Sequence, residues 1–328
     1  MTTSADISPT TYDSRTPPRQ HVLDLDDFSR AEITEILETS SSMKEILGRS
    51  IKQVPALRGK TVVNMFFEES TRTRISFELA ARALSANVVG MTAKGSSVEK
   101  GESLVDTVRT LQALGADIIV MRHSAAGAPY LVTQHFQGSV INAGDGRHAH
   151  PTQALLDLFT IQERLGHIDG LRVVIVGDIL HSRVARSNLW GLMTMGAHVT
   201  LCAPTTLLGP ADYWTSTWPQ VTISYNLNDC IADADVIMTL RLQKERQQTG
   251  LLPTLREYTN LFGITTERLK CAAPHCLIMH PGPMNEGVEI MPDVVTSMQS
   301  VIEDQVTNGV AVRMALLYTL AGSSRHDE

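Results

Sequence analysis

The chain has 328 residues, 43% of them hydrophobic and 19% charged, the composition of a folded globular protein long enough for two domains. Lys and Arg number 28 against 35 Asp and Glu, a net charge of −7, so basic clusters read as local anion traps in an acidic protein and not as a nucleic-acid face. No apolar run approaches the roughly 20 residues that span a bilayer, and the proline-bearing first stretch lacks the apolar core of a secretion signal, so the expectation is a cytoplasmic protein with a loose N-terminal tail.

Strands and helices alternate along the chain. The pattern predicts a helix around Phe28 to Leu47, then a buried strand from Thr61 to Phe67. Apolar residues Phe77, Ala80, Ala81 and Leu84 follow at helical spacing, which places Ser70 near that helix's N-cap. Strands near Val88, Ile118 to Met121 and Val140 are separated by helical stretches around Ser103 to Leu114 and Pro129 to Phe136, a parallel α/β unit. A second unit opens at Pro151, suited to the first turn of a helix. Strands at Val173 to Val176, Val199 to Cys202, Val236 to Leu240 and Leu277 to Met279 continue it. The fold class expected is α/β with two parallel-sheet domains, residues 1–150 and 151–297. A long apolar helix from about Met298 to Leu320 returns to the first. Cys202, Cys230, Cys271 and Cys276 form no C-x-x-C pair and read as buried small hydrophobes.

The chemically loaded segments sit at strand ends. Glu68-Glu69-Ser70-Thr71-Arg72-Thr73-Arg74 opens a helix with hydroxyls and guanidiniums, where unsatisfied backbone N–H groups favour an anion. Read alone it is either a phosphate cradle or an ordinary hydroxyl cap with solvated arginines. Met121-Arg122-His123 ends a strand with a cation, and His150 and Gln153 come at the start of the helix after a glycine-bearing turn. Val173 to Asp178 invites a dinucleotide reading, but no glycine follows Gly177 in the turn, so the G-x-G-x-x-G fingerprint is absent; the turn offers Arg183 instead. Arg241 and Gln243 alternate beyond another strand, and His280-Pro281-Gly282-Pro283 is a stiff turn whose carbonyls can hold an amide donor. His148 and His150 have only Asp145 nearby, an incomplete metal-ligand set, so no metal and no cofactor are expected.

Taken together and in order, Ser70 to Arg74, Lys100-Gly101-Glu102, Met121-Arg122-His123, His150-Pro151-Thr152-Gln153, Arg241 to Arg246 and His280 to Pro283 resemble the motifs of aspartate carbamoyltransferase catalytic chains. Ile179 to Ser187 and the N-terminal extension are most similar to bacterial members that assemble with a dihydroorotase-like chain. The resemblance implies transfer of a carbamoyl group from carbamoyl phosphate to L-aspartate, the committed step of pyrimidine synthesis. By similarity, Ser70, Thr71, Arg72, Thr73 and Arg122 hold the phosphate, while Thr73, Arg122 and His150 reach the carbonyl oxygen. Gln153 and the Pro281-Gly282 backbone hold the carbamoyl nitrogen, and Arg183, Arg241 and Gln243 bind the aspartate carboxylates. Ser96 and Lys100 are implied to enter the site of the adjacent subunit of a homotrimer, making shared active sites, with Arg72, Thr73, Lys100, Arg122 and His150 acting in catalysis. Glu68 is implied to pair with Arg183 and Arg246. Partner regulatory chains are open; nucleic acid and membrane are not expected partners.

One position departs from the pattern: Glu286 stands where many relatives carry arginine, and a carboxylate there repels anionic substrates unless it points away. Ornithine carbamoyltransferase is the alternative within the same fold, but its family shows a cysteine in an H-C-L-P turn where this chain has His280 to Pro283. A catalytically silent ligand-binding or assembly chain is the alternative from another class, separated by a turnover assay.

Overall fold

Apolar runs short enough for strands, each followed by a helix, leave the chain few ways to bury both faces of its sheets, and parallel α/β layering is the one adopted. A computed structural model describes residues 19–92, 101–242 and 254–323. The N-terminal tail, Ser96, Lys100, Gln243 and Arg246 lie outside the described residues.

The first unit runs α1 (Arg30–Leu47), β1 (Thr61–Phe66), α2 (Thr71–Ala83), β2 (Asn87–Thr92), α3 (Leu104–Ala113), β3 (Ile118–His123), α4 (Ala128–Thr133) and β4 (Ser139–Asp145). Its strands form a parallel sheet in the order β2-β1-β3-β4, with Val62 in register with both Val88 and Ile118. Val62 to Phe66 are all buried, which is why β1 reads as a continuous hydrophobic run and not as an alternation. Val63, Met65, Ile119 and Met121 face Val108 of α3 and Val132 of α4, while Val62, Phe66 and Val120 face the larger core that includes Phe77, Ala80 and Ala81 of α2.

The second unit continues through α5 (Pro151–Leu165), β5 (Arg172–Val176), α6 (Arg183–Thr194), β6 (His198–Cys202), α7 (Thr205–Leu208), α8 (Ala211–Thr217), β7 (Thr222–Ser224), α9 (Leu227–Ile231) and β8 (Val236–Thr239). It ends with α10 (Leu255–Phe262), α11 (Thr266–Leu269), β9 (Leu277–Met279) and α12 (Pro292–Val295), and α13 (Ile302–Ser323) follows as the last helix. Its parallel sheet has the order β7-β6-β5-β8-β9.

Two helices join the units. In α5 every residue from Pro151 to Ile161 is buried, the mark of a helix enclosed on all sides. It packs on α6 and α13, and α13 packs in turn on α1 and α2. The last helix starts at Ile302 and not at Met298, because Val301 N–H donates to the Ile278 carbonyl and Ile278 N–H to that of Gln299, tying these residues to β9 before the helix begins. Met298 is fully exposed. The cysteine expectation needs correcting too: Cys202 and Cys276 are buried, but Cys230 is half-buried and Cys271 exposed, and all four are free thiols.

Candidate active site

The carboxyl ends of β1, β3, β4, β8 and β9 converge on one cleft of about 850 Å³, the location at which open α/β sheets bind ligands. Ser70, Thr71, Arg72, Thr73, Arg122, His150, Gln153, Arg183, Arg241, Pro281 and Gly282, all singled out in the sequence, line it. Ser96, Lys100 and Gln243 were singled out too and fall outside the described residues.

β1 delivers its chain into α2, whose N-cap is Ser70 in extended backbone (φ −161°, ψ 97°). The Ser70 hydroxyl makes no cap hydrogen bond. The first-turn N–H groups and the positive end of the helix dipole therefore face the cleft beside a hydroxyl that capping does not use. Arg72 stands at this mouth, exposed at one side, its pKa lowered by partial loss of solvent and by the neighbouring Arg241 charge.

Glu68, two residues before the cap, joins two further guanidiniums. Its Oε1 accepts from Arg122 Nη2 at 2.7 Å and Arg183 Nη2 at 2.5 Å, and its Oε2 accepts from Arg183 Nη1 at 3.2 Å. Arg122 also donates to the Ala143 carbonyl and Arg183 to that of Gly146. Arg183 belongs to the second unit, so this ion triad crosses between the two sheets. Glu68 thus pairs with Arg183, as the resemblance implied, and with Arg122 as well. Gly144 is where the backbone must pass these groups: at φ +115° a Cβ would lie 3.0 Å from the Arg183 guanidinium carbon. Gly282 (φ +62°) does the same for Arg72, with a Cβ placed 3.1 Å away. Both need glycine for conformation and for space.

His150 forms the floor. Its backbone N–H donates to Ser187 Oγ at 2.9 Å, and that hydroxyl donates to Asp24 Oδ1 at 2.8 Å. Its Nδ1 is buried without a hydrogen-bond partner among the described residues. Burial first, then the charges of Arg122, Arg183 and Arg313, hold its pKa well below the usual imidazole value, so the ring is neutral at physiological pH. His148 parts from it, with Nδ1 3.1 Å from Asp145 Oδ2, and among the described residues no three His, Cys, Asp or Glu side chains gather as metal ligands.

Arg241 lies beyond the end of β8, and its alternation with Gln243 runs outside the described residues. Next to it, buried Glu289 accepts Leu242 N–H on Oε1 at 2.9 Å. At the β9 end, His280 Nδ1 accepts Gly282 N–H at 2.8 Å, which shapes the turn, and the Gly282–Pro283 peptide is cis. Burial, with Arg72 and Arg241 adding to it, pushes His280 down to about 3. Glu286 is exposed on the cleft rim.

Gln305 and Arg313 of α13 and Ser76 of α2 also line the cleft and were missed in the sequence. Arg313 donates to Ser76 Oγ at 2.8 Å and lies over the Phe77 ring, 5.1 Å from its centroid. The available signal was polar Gln305, Gly309 and Arg313 at helical spacing in an otherwise apolar helix.

The chain matches the family model "Aspartate/ornithine carbamoyltransferase, carbamoyl-P binding domain" over residues 20–163 and that of the same family's Asp/Orn binding domain over residues 169–320. It is 78% identical over 304 residues to the aspartate carbamoyltransferase catalytic subunit of Roseiflexus sp. (strain RS-1), covering 93% of this chain and 96% of that one. Among solved structures it is similar to the catalytic subunit of M. jannaschii aspartate transcarbamoylase (TM-score 0.83, 36% identity, 94% of this chain and 100% of that). It is likewise similar to aspartate transcarbamoylase from Trypanosoma cruzi in complex with carbamoyl phosphate and aspartate (TM-score 0.82, 31% identity, 92% and 96%).

Proposed function

The chain belongs to the aspartate/ornithine carbamoyltransferase family, and on that premise we propose how its cleft performs the transfer of a carbamoyl group from carbamoyl phosphate to the amine of L-aspartate, giving N-carbamoyl-L-aspartate and phosphate. The observation that carries the reading is the convergence of Arg72, Arg122, Arg183 and Arg241 around a histidine that burial keeps neutral. Two anionic substrates need several cations, and guanidinium forks match phosphate and carboxylate oxygens two at a time.

Ser70, Thr71, Arg72 and Thr73, at the start of α2, take the phosphate together with Arg122. Arg183 and Arg241, joined by Gln243, take the two carboxylates of aspartate. Residues 1–150 with α13 thus carry the phosphate end of the first substrate, and residues 151–297 the second substrate together with the groups that face the carbamoyl nitrogen. The neutral amine attacks the carbamoyl carbon, and the carbonyl electron pair moves onto oxygen. Thr73, Arg122 and neutral His150 donate hydrogen bonds to that oxyanion, where a fixed donor acts more strongly than water. The carbamoyl NH2 is held by Gln153 and the Pro281-Gly282 backbone. Collapse of the intermediate breaks the bond to phosphate, which leaves with the electron pair and accepts the amine proton. Holding both substrates in line supplies much of the rate.

The family includes ornithine enzymes, and the discriminating assay offers aspartate and ornithine in parallel with carbamoyl phosphate. N-carbamoyl-L-aspartate as the product supports the reading; carbamoylation of ornithine instead overturns it. We place the enzyme in the cytoplasm, in pyrimidine synthesis, as a homotrimer in which Ser96 and Lys100 reach the neighbouring subunit's phosphate site. No helix among the described residues is long and apolar enough to cross a membrane. The shared site is tested by reassembling Lys100→Ala chains with His150→Ala chains: mixed trimers are expected to exceed either parent in activity, and verified mixtures without that recovery exclude sharing.

A further inference from the structure

Beneath the cleft floor, Asp157 of α5 is fully buried and gathers three side-chain amides. Its Oδ1 accepts from Gln153 Nε2 at 3.0 Å and Gln305 Nε2 at 2.8 Å, and its Oδ2 accepts from Asn188 Nδ2 at 2.8 Å. Asp157 does not itself line the cleft, whereas Gln153 and Gln305 do.

An ionised carboxylate can only accept, so each amide must show it the NH2 group and turn its oxygen elsewhere. For Gln305 the oxygen accepts His280 N–H at 3.0 Å, anchoring the turn that carries Pro281 and Gly282. For Gln153, one helical turn before Asp157, the oxygen is left for the cleft. Burial pushes Asp157 up to about 6 against the pull of the three amide donors and of Arg313, so it remains ionised at neutral pH. An amide in its place would offer one acceptor oxygen and one NH2 to three NH2 groups, and at least one partner would have to rotate.

We propose that Asp157 is the positioning residue that fixes the polarity of the acyl-nitrogen pocket, holding the NH2 groups of Gln153 and Gln305 so that the pocket presents acceptors and selects an acyl phosphate bearing NH2 over one bearing methyl. This rests on the reading that Gln153 and the Pro281-Gly282 backbone hold the carbamoyl nitrogen. A rotated Gln153 would set NH2 against NH2, which costs the ligand a hydrogen bond and leaves donors unpaired.

The test is calorimetry on the assembled full-length enzyme with carbamoyl phosphate, acetyl phosphate and inorganic phosphate. Asp157→Asn is expected to weaken carbamoyl phosphate roughly 10- to 100-fold while the other two ligands stay within about twofold. An equal loss for all three makes Asp157 a packing residue and overturns the proposal. Gln153→Leu, run alongside, separates the two levels. If it leaves the preference for carbamoyl over acetyl phosphate intact, the reading of the nitrogen pocket fails; if it removes the preference and Asp157→Asn does not, only the role of Asp157 fails. Should Asp157→Asn not fold, the same preference is followed in the wild type from about pH 8 to about pH 5. Gln153 on its own helix, Asn188 on α6, and Gln305 and Arg313 on α13 face the carboxyl. Protonation supplies one donor to this set and is expected to erode the preference, and a flat profile overturns the proposal.

Discussion

The wall of the cleft at the N-terminus of α2 and the wall made by α5, the 280–283 turn and α13 present similar polar groups by different means. At α2 the groups are local: a cap residue, the backbone N–H groups behind it, and Thr71 and Arg72, both exposed. At the other wall the groups are buried and tied to partners distant in sequence: the His150 backbone through Ser187 to Asp24, the Gln153 side chain through Asp157 to Gln305, and Gln305 to the His280 backbone. A wall built from one turn of helix tolerates loss of a side chain; a wall built from a chain of buried hydrogen bonds transmits it.

The largest effect is expected outside both walls, at Arg241 after β8, which sets a baseline for the contrast. Arg241→Ala is expected to weaken aspartate by roughly 2–5 kcal/mol while carbamoyl phosphate affinity stays near wild type, measured by calorimetry. Equal loss of both ligands in a folded protein would break the division between the carboxylate site and the two walls that hold carbamoyl phosphate. His150→Ala comes next, with kcat expected to fall roughly 10²–10³-fold, the range for one oxyanion donor, and substrate affinities little changed. A near-normal kcat would leave the floor histidine structural.

Asp24→Asn probes the network behind His150 through stability. Burial raises Asp24 to about 6, above the ordinary aspartate value, with the Ser187 hydrogen bond opposing that shift. A carboxyl whose folded pKa is raised favours folding while protonated, and that advantage is lost as pH climbs from about 4 to about 6. The asparagine variant escapes the loss, so its thermal stability is expected to pull ahead of wild type across that window, by about 1–3 kcal/mol above it. Parallel pH curves for the two proteins would show that Asp24 does not titrate as argued. The smallest effect is predicted for Ser70→Ala on the other wall. Because the hydroxyl does not cap α2, the melting temperature is expected to change by less than about 0.5 kcal/mol equivalent, where an ordinary cap costs about 1. Phosphate affinity should fall nonetheless.

The same contrast decides what could be read in the sequence. Strands buried on both faces announce themselves as apolar runs, so β1, β3, β5 and β8 were legible almost to the residue. The edge strand β7 was not, having three residues, one exposed and two half-buried. The polar groups at strand ends were visible because their spacing is local. Gln305 and Arg313 were hidden in a helix whose apolar content signals packing alone, and nothing in the spacing of Gln153, Asp157 and Asn188 says that one carboxylate collects them with a glutamine from the far end of the chain. Such partnerships exist only after the tertiary fold brings α5, α6 and α13 together.

That last helix has a consequence for truncation. Because α13 both covers α1 and α2 and carries Gln305 to the cleft floor, a chain cut short before Ile302 keeps both sheets yet can complete neither the packing of the first nor the chemistry of the cleft. Apolar faces such as that of Phe77, Ala80 and Ala81 then stay without their final cover. Stop codons ahead of this helix would therefore yield sticky, inactive products rather than weakened enzymes.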